Sequence, residues 1–187
     1  MSFFQQPAIG LIELGSIAKG LMTADAMVKK APIEILLAKT VSPGKYIILI
    51  SGDVASVDES VKTGIETAGD YLVDFLFIPQ IHGQILPGIK NKFQNIPLNA
   101  ISIVETRSVA STIVALDCAL KAARTDLICL KLGQGLGGKG YFVLTGELSE
   151  IEAAVAQAKN SLKEKDKLLQ AEIIASPHAE LWEGAAP

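Results

Sequence analysis

The chain contains two versions of one unit. Ala8-Ile9-Gly10-Leu11-Ile12-Glu13-Leu14 returns 92 positions later as Ala100-Ile101-Ser102-Ile103-Val104-Glu105-Thr106, each an apolar run carrying one glutamate. Such self-similarity is weighed before secondary structure because it decides how many folding units a chain holds. A serine follows each run, Ser16 or Ser108, placed to cap a helix by accepting from a free backbone N–H. Apolar residues then recur at helical spacing: Ile17, Leu21, Ala24, Val28 and Ala31 in the first copy, Val109, Ile113, Leu116, Leu120 and Ala123 in the second. This spacing predicts a helix with one buried face in each copy. Asp25 and Lys29 match Asp117 and Lys121 at the same displacement.

Strands are predicted next at Ile33 to Thr40 and Asp126 to Leu132, then at Tyr46 to Ser51 and Tyr141 to Thr145. Across the glycine-bearing connection between them the displacement grows to 94, as Gly44 to Gly138, Lys45 to Lys139 and Gly52 to Gly146 show. A second helix repeats Val54, Val57, Val61 and Ala68 as Leu148, Ile151, Val155 and Leu162. A last strand runs Leu72 to Ile78 and about Leu168 to Ile174, and the repeat ends at His82 and His178, now 96 apart. Each copy therefore reads β-α-β-β-α-β with a short terminal helix, an α/β arrangement of the split, ferredoxin-like kind. The expected organisation is a tail over 1–7, a domain over 8–90, a turn-rich linker over 91–99, a second domain over 100–183 and a tail over 184–187.

Composition narrows the function. Lys and Arg number 17 against 20 Asp and Glu, a net charge of −3 without concentrated runs, which disfavours a nucleic-acid surface. Only 20% of residues are charged and mean hydropathy is +0.36, so the chain has little polarity to spend on solvent. Its apolar runs are far shorter than the ~20 residues of a membrane span, and the start MSFFQQP lacks the features of a secretory leader. The expectation is a cytoplasmic, oligomeric protein with no membrane partner. Cys118 and Cys129 form no metal spacing and replace apolar Ala26 and Leu37 of the first copy, as core thiols would.

The run Leu132-Gly-Gln-Gly-Leu-Gly-Gly-Lys-Gly140 imitates two phosphate loops, Gly133-x-Gly135-x-x-Gly138 and Gly133-x-x-x-x-Gly138-Lys139. Both motifs require the glycines to open a helix whose N-terminal N–H groups meet the anion. Here Tyr141-Phe142-Val143-Leu144-Thr145 follows and reads as a strand, and Gly140 stands where a P-loop needs Ser or Thr. The loop is a strand-to-strand connection. No nucleophile, base and acid suggest themselves as a catalytic set, and Glu13 and Glu105, inside apolar strands, are expected to be paired acids.

Several of these segments together resemble the bacterial microcompartment shell domain, the BMC fold. They are Ala8 to Glu13, Asp25-Ala26-Met27-Val28-Lys29-Lys30-Ala31, the Gly44-Lys45 loop and Gly52-Asp53-Val54, with Glu105, Asp117, Lys121, Ala122, Gly146 and Pro177-His178 in the second copy. The likeness extends from about Ala8 to Trp182. Tandem duplication without permutation resembles the trimeric BMC-T class, and within it the T-type shell proteins of propanediol-utilisation compartments. The resemblance implies a pseudohexameric homotrimer that tiles with itself and other shell proteins into facets of a compartment shell.

It also implies a central pore for small-molecule metabolites, lined by Ser42, Pro43 and Gly44 of the first loop and by Gly133, Gln134, Gly135, Leu136, Gly137 and Gly138 of the second. Lys29, Lys121, His82 and His178 match positions at the edge between neighbouring disks. T-type members carry a cysteine in the first loop that holds an iron–sulfur cluster, and Ser42 occupies that position here. A serine hydroxyl is a poor substitute for a thiolate ligand. No cofactor is therefore expected, and a cluster only if Ser42 replaces a native cysteine. Two other readings remain open at this point: a redox shell protein with such a cluster, and a ferredoxin-like ligand-sensing module using Gly133 to Lys139 as an anion nest.

Overall fold

The computed structural model describes residues 7–162, 166–178 and 180. The chain divides into two compact units, Met1–Gly83 with Gly133–Gly138, and Gln84–Leu132 with Lys139–Pro187. The first unit holds β1 (Ala8–Leu14), α1 (Ile17–Lys30), β2 (Glu34–Val41), β3 (Lys45–Gly52), α2 (Val54–Ala68) and β4 (Leu72–Ile78). The second holds α3 (Ile85–Ile89), β5 (Ala100–Thr106), α4 (Val109–Ala122), β6 (Asp126–Leu132), β7 (Gly140–Gly146), α5 (Leu148–Leu162) and β8 (Leu168–Ile174). The terminal helix expected after β8 falls outside the described residues except for Glu180, as do the expected tails apart from Pro7.

Both sheets are antiparallel, ordered β2-β3-β1-β4 and β6-β7-β5-β8. The repeat persists in the register: Ala8 faces Gly52 as Ala100 faces Gly146, and the ladders break at Glu13/Leu14 and at Glu105/Thr106. In the first unit Ile12, Leu14, Ile48 and Ile50 of the sheet pack with Met27 of α1 and Val57 and Val61 of α2. Burying side chains of this size is the main favourable term in the fold, about 1.5–3 kcal/mol each. The caps form as expected, with Ser16 Oγ accepting from Lys19 N–H at 3.3 Å and Ser108 Oγ from Ser111 N–H at 3.1 Å. Asp53 caps α2 by accepting from Ser56 N–H at 3.0 Å, and its hydrogen bonds with Ser56 hold the carboxyl below the ordinary carboxylate value.

The buried face of α1 differs from the expected one. Gly20, Thr23, Ala24 and Met27 are buried, whereas Ile17, Leu21 and Val28 are exposed, along with Met22. In α4 the expected Val109, Ile113, Leu116 and Leu120 are buried, while Ala123, the C-cap, is half-buried. The apolar spacing is thus real in both helices, but in α1 most of it faces away from the unit's own core. Val54 and Leu148, the first residues of α2 and α5, are likewise exposed, and burial in these helices starts at Val57 and Ile151.

Candidate functional site: the two strand-to-strand loops

The first loop, Ser42 to Gly44, joins β2 to β3 and closes with Gly44 N–H donating to the Val41 carbonyl at 3.1 Å. The second, Gly133 to Lys139, joins β6 to β7, and its segment Gly133–Gly138 packs within the first unit. Ser42, Pro43, Gly44 and Gln134 line an open cavity of about 500 Å³ with Thr40 and Val41. Its lining is polar but carries no ionisable side chain. Four of the nine residues expected at a pore therefore share one cavity, and the other five belong to the same glycine run as Gln134.

Gly138 shows why that run is glycine-rich. Its φ of +83° lies in the left-handed region that side chains disfavour, and a Cβ there would sit 3.0 Å from the Ser42 carbonyl oxygen and 3.1 Å from Lys45 Nζ. The second loop thus rests directly on the end of the first.

The sequence reading missed Lys45 as the post beneath this contact. Its ammonium bonds Glu13 Oε1 at 2.8 Å, and Glu13 is fully buried near the end of β1. Lys139 makes the equivalent pair with Glu105 Oε1 at 3.0 Å in the open. The signal for this pairing lies in the repeat, since both the glutamate and the lysine recur together. The expectation that the two acids are paired is met.

The donors near these loops do not fit an iron–sulfur cluster. Position 42 offers an exposed hydroxyl, and the two thiols lie elsewhere, Cys118 on α4 and Cys129 on β6. Burial pushes both thiols up, away from the thiolate that binds iron. Cys129 is buried against Tyr141, whose phenol is pushed up to about 12, chiefly by desolvation. Among the described residues no group of three or more His, Cys, Asp or Glu could hold a metal ion.

The four residues expected at edges are divided between the two units, Lys29 and His82 in the first and Lys121 and His178 in the second. Lys29 is exposed on α1 and pairs with Asp25 at 2.6 Å, while Lys121 on α4 pairs with a buried Asp117 at 2.5 Å. His82 is half-buried, and His178 is exposed, its Nδ1 accepting from Glu180 N–H at 3.3 Å. None of the described helices is long and apolar enough to cross a membrane.

Comparison with known proteins agrees with this architecture. A family profile described as "BMC domain" matches twice, over residues 8–81 and 100–177. The bacterial microcompartment shell protein PduT of Citrobacter freundii is 42% identical over 175 residues, 94% of this chain and 95% of the relative. The crystal structure of a microcompartment protein from Desulfitobacterium hafniense superposes with a TM-score of 0.85 at 41% identity, covering 95% of this chain and 99% of the other. The fused permuted hexameric shell protein of the RMM microcompartment shares the fold alone, with a TM-score of 0.63 and 17% identity over 84% and 82% of the two chains.

Proposed function

Because the chain belongs to the BMC-domain family, as a tandem shell protein of bacterial microcompartments, we propose that three copies close into a pseudohexameric disk that tiles a shell facet. The observation that carries the trimer is the contrast between two equivalent helices. Leu21 on α1 is 58% exposed, while Ile113, 92 positions later on α4, is fully buried, and Ile17 and Val28 differ from Val109 and Leu120 in the same sense. The large residues of one stripe are covered within a single chain, and three of their counterparts in its twin are bare. Monomers seldom leave such a row of large apolar side chains to water, and a second copy supplies the missing cover.

In this reading the neutral cavity at Ser42, Pro43, Gly44 and Gln134 becomes part of a central passage. A lining of hydroxyl and amide groups that carries no ionisable side chain favours small uncharged polar metabolites and water over ions. The protein is a structural and permeability element of a shell in the bacterial cytoplasm, neither an enzyme nor a cluster carrier.

Light scattering across a chromatographic peak, followed by negative-stain microscopy of the same fraction, tests this. A mass of three chains and sheets of regular disks are expected, from anaerobically purified protein that is colourless. A stable monomer would remove the trimer, and a brown protein with sulfide-to-iron absorption would remove the neutral pore.

A further inference from the structure

The side chain of Gln84 behaves as one residue of a β-strand. Its Nε2 donates to the Thr125 carbonyl at 3.0 Å and its Oε1 accepts from Leu127 N–H at 2.7 Å. Together these bonds close the outer edge of β6, where Leu127 is only 3% exposed. The short helix α3 that follows lies against this edge, and Gly88 permits the approach, since a Cβ there would stand 2.6 Å from Leu127 Cδ2.

The first unit has the same edge, and there it is more exposed. β2 pairs β3 through Glu34↔Ser51 and Ile35↔Ile50 and then shifts register, just as β6 pairs β7 through Asp126↔Thr145 and Leu127↔Leu144 and then shifts. Ile33 and Ile35 hold the places of Thr125 and Leu127. In that shared register the Ile33 carbonyl and Ile35 N–H correspond to the Thr125 carbonyl and Leu127 N–H that Gln84 bonds, and Ile35 is 39% exposed. The bare stripe of α1 belongs to the same unit as this edge.

The repeat also contains a matching plug. The displacement of 96 that carries His82 to His178 carries Gln84, Ile85, Leu86 and Gly88 to Glu180, Leu181, Trp182 and Gly184. Glu180 is exposed, and the three that follow lie outside the described residues. We propose that Glu180 to Gly184 of one copy seats on the β2 edge of the next. The Glu180 carboxylate accepts from Ile35 N–H, Leu181 and Trp182 take the places of Ile85 and Leu86, and Gly184 crosses Ile35 as Gly88 crosses Leu127. This rests on the trimer argued above and names its interchain contact.

The copy is imperfect in one atom. An ionised carboxylate only accepts, so Glu180 gives the Ile33 carbonyl nothing, whereas the Gln84 amide both donates and accepts. Restoring the amide should therefore tighten the assembly.

The test uses the full chain, Glu180→Gln and Gly184→Val, followed by sedimentation equilibrium over a dilution series and by fluorescence of Trp182, the single tryptophan. Dilution of the native trimer is expected to red-shift Trp182 emission as the trimer dissociates. Glu180→Gln should move dissociation to lower concentration, about 3- to 10-fold per interface for one added hydrogen bond. Gly184→Val should move it about tenfold or more the other way, with the far-ultraviolet circular dichroism of the native chain. If the native chain sediments as a trimer but Trp182 emission ignores dissociation, or both variants dissociate as the native chain does, the clamp is wrong and the trimer stands. If the native chain is a monomer throughout, the trimer fails first.

Discussion

Lys45 and Lys139 occupy equivalent positions in the repeat and are unequally placed. The Lys45 ammonium is a partner of a carboxylate with no solvent exposure, while Lys139 and Glu105 are half-solvated. Water supplies most of what an exposed pair loses on mutation, whereas removing one partner of a buried pair takes from the other charge a stabilising contact that water does not replace. Lys45→Met should therefore lower unfolding stability by about 3 kcal/mol, against ~1 kcal/mol or less for Lys139→Met. Urea unfolding at one fixed chain concentration measures both, because association otherwise shifts the midpoint. Equal costs would mean that Glu13 draws its compensation elsewhere. The consequence reaches the loops, since Gly138 rests on the Lys45 side chain and the Ser42 carbonyl together. A change at Lys45 thus disturbs the cavity without touching its lining.

The two units solve one packing problem between helix and sheet with exchanged volumes. In the first, Gly20 of α1 lies against Tyr46 of β3, and a Cβ at Gly20 would stand 2.5 Å from the ring. In the second, the glycine has changed sides: Thr112 of α4 faces Gly140 of β7, and a Cβ at Gly140 would fall on Thr112 Oγ1. Thr112 also bonds the Thr106 hydroxyl at 2.7 Å and the Ser108 carbonyl at 2.9 Å, so a hydroxyl network fills the space that Tyr46 and Leu14 fill with apolar atoms. Gly140→Ala should cost about 1–3 kcal/mol by overpacking. Adding Thr112→Ala, which removes the obstructing oxygen, should return part of it, with a coupling of about 1 kcal/mol in a double-mutant cycle. Additive costs would show that the two positions do not press on each other.

Such exchanges are invisible to a reading of each copy alone, but the paired displacements of 92 and 94 expose them once contacts are known. The strands, caps and loops were legible for the same reason: two versions of one unit agree on what the backbone requires and differ in what fills it. The sequence reading placed β4, β5, β6 and β8 at their observed ends and recognised the glycine run as a connection between strands. It erred on α1, because helical spacing reports that a stripe will be covered and says nothing about whether the cover comes from the same chain. Lys45 was overlooked because its partner is 32 positions away and meets it only through the β1–β3 register.

At the scale of the molecule, that error in α1 becomes the sharpest statement about assembly. If the bare stripe is an interchain surface and its twin on α4 part of a finished chain, the same substitution at equivalent positions must act on different equilibria. Leu21→Asp places a charge where the single chain already meets water, so folding stability should change by ~0.5 kcal/mol or less, while the trimer, which would have to desolvate the carboxylate, dissociates. Ile113→Asp places the same charge at a site with no exposure, and the chain itself should unfold or fail to accumulate. Scattering mass and circular dichroism on the two variants separate these outcomes. A Leu21→Asp protein that keeps the native mass would mean that α1 turns its apolar row toward something other than a second copy, and the disk would need another seam.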